Sequence, residues 1–149
     1  MSAAPADLPH AARQVLGDAS FTALDRQLAL RLCARAGETR PEVVVAVARA
    51  SQALRSGHLF LDLARVDAAA LSGVAPAAAL AALADSPLVG APDPAPRLPL
   101  TLEGTRLYLS RYYAYECELA EAVRLRIQRR LPVDLARARA LADALFAPQ

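Results

Sequence analysis

The stretch Pro99–Leu119, PLTLEGTRLYLSRYYAYECEL, leaves this chain the least freedom. In Pro99–Leu102 the leucines at 100 and 102 fall on one face of an extended run. In Arg106–Leu109 the leucines at 107 and 109 do the same, with Tyr108 opposite. Glu103-Gly104-Thr105 between them supplies turn chemistry, because Gly104 can take a positive φ. Two period-2 runs around a short glycine-containing loop predict a β-hairpin. From Ser110, placed to cap a helix, the period changes to 3.6, and Tyr112, Tyr115, Leu119, Val123 and Ile127 share one helical face. A hairpin feeding directly into a long amphipathic helix requires a sheet and helices in one fold.

The rest of the chain supplies the partners. Residues 1–19, alanine- and proline-rich, read as a flexible N-terminal arm with a helical turn at Ala11–Leu16. Residues 20–146 read as one domain. Asp18 or Ser20 is expected to cap a helix over Thr22–Ala36, whose apolar stripe is Leu24, Leu28 and Leu32 with Phe21 at its start. Asp25, Arg26 and Arg35 lie off that stripe, and Gly37 sits at the C′ position. Thr39 is the expected N-cap of a second helix opened by Pro41-Glu42. The β-branched run Val43–Val47 fits a strand as well, but Pro41 before it, Ala48–Leu54 after it and Gly57 beyond favour helix. Being apolar on several sides, that helix is expected to be central.

His58–Leu63 alternates, with Leu59, Leu61 and Leu63 on one side, and is expected to add a strand to the hairpin. Asp67 or Ser72 begins helical material, Pro76–Ala84 is a short helix, Ser86–Gly90 stops it, and Ala91–Arg97 is an exposed proline-rich connector. Leu131-Pro132 ends the long helix near Arg130. Asp134 then caps a last helix, Leu135–Phe146, with Leu135, Leu141 and Leu145 apolar. The fold expected is α+β and predominantly helical, with five or six helices and a small sheet containing the hairpin.

Composition narrows the function. At 149 residues the chain can bury a real core, and its net charge of +2 gives no strong nucleic-acid or membrane signal. All 17 basic residues are arginine. A Walker A loop and a kinase-type site each require a lysine, so neither can be built here. Cys33 and Cys117 stand alone on separate predicted helices, without the spacing of a zinc site or a disulfide framework, and fit small core positions in a reducing compartment. No basic segment followed by an apolar run opens the chain, and apolar stretches break before the roughly 20 residues of a membrane span. A soluble, cytoplasmic protein with no membrane partner is expected.

The pattern L-x-G-x-R-L-Y-L-x-R-Y-x-x-x-E, carried by Leu102, Gly104, Arg106, Leu107, Tyr108, Leu109, Arg111, Tyr112 and Glu116, resembles the N-terminal region of the RecD family, the α subunits of exodeoxyribonuclease V (RecBCD). Two upstream pieces match in the same order: Leu24-Asp25 with Leu28-Ala29-Leu30, and Gly57-His58-Leu59 with Leu61, Leu63 and Ser86-Pro87-Leu88. The resemblance covers residues 20 to 130. It implies a non-catalytic assembly module that docks a helicase subunit onto RecC and RecB. ATP and Mg²⁺ would belong to motor domains absent from this chain, and DNA would be reached only through the full complex. The parent enzyme it implies is an ATP-dependent 5′→3′ helicase and exonuclease of double-strand-break repair. The abrupt ending Phe146-Ala-Pro-Gln fits a piece of such a polypeptide.

The candidate partner-binding residues are Arg106, Tyr108, Arg111 and Tyr113. Tyrosine and arginine are enriched at interface hot spots. Arginines interleaved with aromatics also suit single-stranded nucleic acid. Against both stands a buried role, with Tyr112 and Tyr115 in the core stripe of the helix and the other tyrosines covering the sheet. Arg124, Arg126, Arg129 and Arg130 complement the dipole at the end of the long helix, with Glu121 placed to pair with Arg124. Glu116, Glu118 and Glu121 have no neighbouring histidine for acid–base chemistry, His58 reads as a structural or surface residue, and no catalytic, cofactor or metal residue is assigned. The alternative to a docking module is a winged-helix-like DNA-binding module with Glu103–Thr105 at the wing tip.

Overall fold

The computed structural model describes residues 9–129 and 134–146. The expected helix break at Leu131-Pro132 and most of the first half of the expected arm lie outside them. The described residues fall into two compact units, divided between Glu118 and Leu119. As expected, the architecture is α+β and predominantly helical with a small sheet.

Helix α1 (His10–Gln14) runs into a 3-10 turn, Val15–Gly17. The expected arm is therefore packed structure from His10 onward, because Ala12 and Leu16 enter the core. Helix α2 (Ala23–Ala36) is capped by Thr22, not by Asp18 or Ser20. Thr22 Oγ1 accepts from the Asp25 N–H while the Asp25 carboxylate accepts from the Thr22 N–H, a reciprocal capping box. Asp18 Oδ1 instead closes a turn onto the Ser20 N–H. The expected stripe is met only in part: Phe21 is buried and Leu32 packs against the core, but Leu24 is exposed, and the fully buried positions of α2 are Asp25, Ala29 and Cys33. Small residues on that face let α2 lie close to its neighbour, α3. Gly37, at φ +68°, ends α2 as expected. The Glu38 N–H bonds to the Cys33 carbonyl and the Gly37 N–H to the Ala34 carbonyl, as in a Schellman cap.

Helix α3 (Pro41–Arg55) is central, as its sequence predicts, with every residue from Val43 to Ala48 fully buried. Its N-cap is Arg40, one residue after the expected Thr39, and that cap makes no side-chain bond. The Glu38 carboxylate instead fixes the corner leading into the helix by accepting the Thr39 and Arg40 N–H groups, each at 3.1 Å. Strand β1 (Phe60–Asp62) is shorter than the expected His58–Leu63: Leu61 and Leu63 are buried, but Leu59 is exposed. A 3-10 turn (Ala69–Leu71) and helix α4 (Pro76–Ala84) follow.

Strand β2 (Val89–Gly90) lies in a stretch read only as a helix stop; two residues after a proline leave no periodicity to detect. It runs parallel to β3 (Leu100–Glu103), and β3 turns through Gly104-Thr105 into β4 (Arg106–Leu109). Gly104, at φ +58°, is the first of two loop residues, the position a type II′ hairpin reserves for glycine. The sheet order is β1-β4-β3-β2, antiparallel except for β2–β3. Both faces of the hairpin are covered, because Leu100 and Leu107 are buried and so are Thr101 and Tyr108 opposite them.

Helix α5 (Ser110–Gln128) starts directly from β4. Ser110 is its first residue; its buried hydroxyl lies 2.7 Å from that of Thr101 on β3, tying the helix start to the sheet. The expected burial of the α5 stripe is overturned. Tyr112 and Tyr115 are exposed in the first unit, and in the second Leu119, Val123 and Ile127 are exposed as well, Ile127 to 79%. Helix α6 (Leu135–Leu145) is capped by Asp134 as expected, through the Ala136 and Arg137 N–H groups. Its Leu135, Leu141 and Leu145 are likewise exposed. No helix among the described residues is long and apolar enough to cross a membrane.

Candidate partner-docking surface

The hairpin register decides where the candidate residues go. Arg106 stands opposite Glu103 on one side and Asp62 on the other, while Tyr108 stands between Thr101 and Phe60. Residues alternate in direction along a strand, so Arg106 and Tyr108 share a face, yet they differ in depth. Tyr108 is 1% exposed. Its ring packs 5.1 Å from Phe60 and 5.1 Å, edge to face, from Tyr113. Its hydroxyl reaches Glu103 Oε2 at 3.4 Å, and burial with the nearby Glu116 and Glu103 carboxylates raises its pKa. Tyr108 is thus a packing residue beneath the surface, and the Arg106 guanidinium lies 5.0 Å over the Phe60 ring.

On α5 the tyrosines separate by helical angle. Tyr113 turns toward Tyr108 and is half-buried, its phenol pushed up to about 12 by burial and by the neighbouring Cys117 thiol. Tyr112 and Tyr115 turn outward and meet edge to face at 6.2 Å. Arg111 Nε donates to the Tyr115 hydroxyl at 2.8 Å across one helical turn. The four candidates therefore do not form one patch. Arg106, Phe60, Tyr108 and Tyr113 stack in turn on the face of the hairpin opposite Leu107, and Arg111 joins Tyr112 and Tyr115 on an exposed face. Phe60 and Tyr115 were missing from the candidate set. The i,i+4 spacing of Arg111 and Tyr115 was the available signal for the second.

The most perturbed carboxylates serve the scaffold. Asp25 is fully buried and accepts from the Thr22 N–H and hydroxyl, Ser51 Oγ and Arg55 Nη2, all within 2.9 Å. Burial pushes its pKa up, but these donors outweigh it and hold the carboxyl at about 2. Glu38 is held at about 2 chiefly by the Arg40 guanidinium, against burial and with help from Ser86 Oγ at 2.7 Å. Each carboxylate joins segments distant in the chain, Asp25 linking α2 to α3 and Glu38 linking the α2–α3 corner to the end of α4. Cys33 is fully buried, its thiol pushed up to about 12 by burial and by Glu38, and Cys117 is half-buried; neither is bonded to another cysteine.

The family model of the RecBCD enzyme subunit RecD, N-terminal domain, matches residues 18–108, from the Asp18 turn to Tyr108 in β4. The RecBCD enzyme subunit RecD of Mycolicibacterium smegmatis is 40% identical over 103 residues, covering 66% of this chain and 18% of that protein. The chain thus spans less than a fifth of the length of that relative. From the Asp18 turn through the helical core to the hairpin, the chain belongs to the RecD family as a RecD N-terminal domain.

Proposed function

We propose that this domain is the docking module of a RecD helicase subunit and seats it on RecC and RecB, with no catalytic step of its own. In this reading ATP and Mg²⁺ act in the motor domains of such a subunit, DNA is reached through the assembled enzyme in double-strand-break repair, and the setting is the cytoplasm. The observation that carries it is the exposed Arg111–Tyr112–Tyr115 group on the first turns of α5. It is held rigid by the Arg111–Tyr115 hydrogen bond and anchored to the sheet through Ser110. Arginine and tyrosine displayed on a rigid element are the anchors that protein interfaces favour. The commitment of Asp25 and Glu38 to structural hydrogen bonds supports the non-catalytic part of the reading.

The test is capture of separately purified RecC and RecB from the same organism, with a labelled single-stranded oligonucleotide as a parallel ligand. The expected result is capture of RecC without oligonucleotide binding, weakened about tenfold by Arg111→Ala or by Tyr115→Ala. Steeply salt-dependent oligonucleotide binding with no subunit capture would replace docking by DNA binding.

A further inference from the structure

A second surface lies on the other side of Arg106. A cavity of about 440 Å³ opens along β1, with Arg65 and Arg106 among its lining residues. A smaller one of about 230 Å³ shares Ala53, His58, Leu61 and Val66 with it and extends to Arg49. Together they make one groove with an apolar floor and arginines at both ends. The charge along it is lopsided. Asp62 is the one carboxylate lining it, and its Oδ1 is already engaged by the Thr105 hydroxyl at 2.9 Å and the Ala64 N–H at 3.1 Å. Arg65 and Arg106 form no ion pair among the described residues. Arg49 is already committed, pairing with Asp18, donating to Ser20 Oγ and Gln52 Oε1 and lying over the Phe21 ring, so Arg65 and Arg106 are the groove's available cations. Strand β1 is also an outer strand of the sheet, paired only with β4; on its other edge the Asp62 carbonyl accepts the Arg65 N–H, and the edge at Phe60 is free of a paired strand.

We infer that this groove takes an extended acidic peptide segment of a partner protein. The segment's main chain follows the edge of β1 at Phe60, its carboxylates meet Arg65 and Arg106, and a small apolar side chain covers Leu61 and Val66. Strand addition of this kind draws affinity from backbone hydrogen bonds and specificity from alternate side chains. A nucleic-acid strand is the poorer fit, since it has no peptide backbone to pair with a sheet edge. The inference rests on the docking reading and names the chemistry of one docked element.

The probe is a fluorescein-labelled octapeptide of alternating glutamate and valine. Its lysine–valine counterpart and a labelled single-stranded oligonucleotide run beside it, read by anisotropy and by backbone amide shifts of the chain. The expected result is binding of the acidic peptide alone, with shifts concentrated over residues 58–66 and at Arg106. Arg65→Glu with Arg106→Glu should weaken it at least tenfold. Because Arg106 packs on Phe60, the single Arg65→Glu variant, at an exposed side chain, carries the test if the double variant unfolds. Equal binding of the lysine peptide, shifts confined to α5, preferential oligonucleotide binding at the same amides, or no binding at all overturns the groove. Capture of RecC by a chain that does not bind the peptide would sink the groove and leave docking standing. Peptide binding without subunit capture would do the reverse.

Discussion

Helix α3 and the residues beyond Glu118 are built from the same aliphatic side chains and treat them in opposite ways. Val43, Val44, Val45 and Val47 are all fully buried, on a helix surrounded by α1, α2, α4 and the sheet. Val123, Leu125, Ile127, Leu135, Leu141 and Leu145 are all exposed, on helices α5 and α6. A periodic apolar face shows that a surface seeks cover, and burial requires a neighbour whose residues are present in the chain. The first unit meets that condition from within and adds polar groups, Asp25 and Glu38, that fix where each helix lies. The second unit presents its apolar residues outward.

Removing a large side chain should therefore matter in one region and not in the other. Leu107→Ala opens a cavity under the hairpin and should lower stability by about 3 kcal/mol, read from urea unfolding. Acid should act next. The carboxyls of Asp25 and Glu38 sit near 2 in the folded chain, below the 3.8 and 4.5 expected of them unfolded. Their stabilisation is therefore present above about pH 4.5 and lost as pH falls toward 2, about 2 kcal/mol for Asp25 and about 3 kcal/mol for Glu38. Unfolding midpoints measured from pH 6 down to 2 should show that slope, and Asp25→Asn should reduce its steepness. A slope unchanged in Asp25→Asn would remove the carboxylate from the account. Gly37→Ala forces a side chain into a left-handed backbone position and should cost about 1 kcal/mol. Ile127→Ser, in the exposed region, should leave stability within about 0.5 kcal/mol of the parent. A loss comparable to that of Leu107→Ala would show that Ile127 is covered in solution and erase the distinction between the two regions.

What could be read from the residues beforehand follows the same division. The hairpin, the helices of α3 and α4, the Gly37 stop and the Asp134 cap were legible because each is written in local chemistry, a turn glycine or a capping carboxylate next to the element it serves. The buried face of α2 was not. Hydrophobicity pointed to Leu24, Leu28 and Leu32, of which Leu32 does pack against the core, whereas close approach of two helices and the pairing of buried Asp25 with Arg55 selected Asp25, Ala29 and Cys33. An aspartate that both caps its own helix and anchors Arg55 on the next reads as a surface residue until the two helices are placed together. Strand β2 was illegible because two residues carry no period, and its pairing is decided by β3 alone. The candidate docking residues were legible in type and not in arrangement. The alternation that put Arg106 and Tyr108 on one face could not say that Phe60 and Tyr113 would enclose one of them.

The unequal burial of the two thiols has a practical consequence. Alkylating reagents attack the thiolate, and Cys33, enclosed beside Glu38, yields almost none at neutral pH. Cys117, partly open on α5 and one helical turn from Tyr113, is the position a maleimide dye reaches first. The unaltered chain therefore carries its own single attachment point for a fluorophore. A dye there sits on the helix that carries the Arg111–Tyr115 face, so its anisotropy reports a partner that settles on α5.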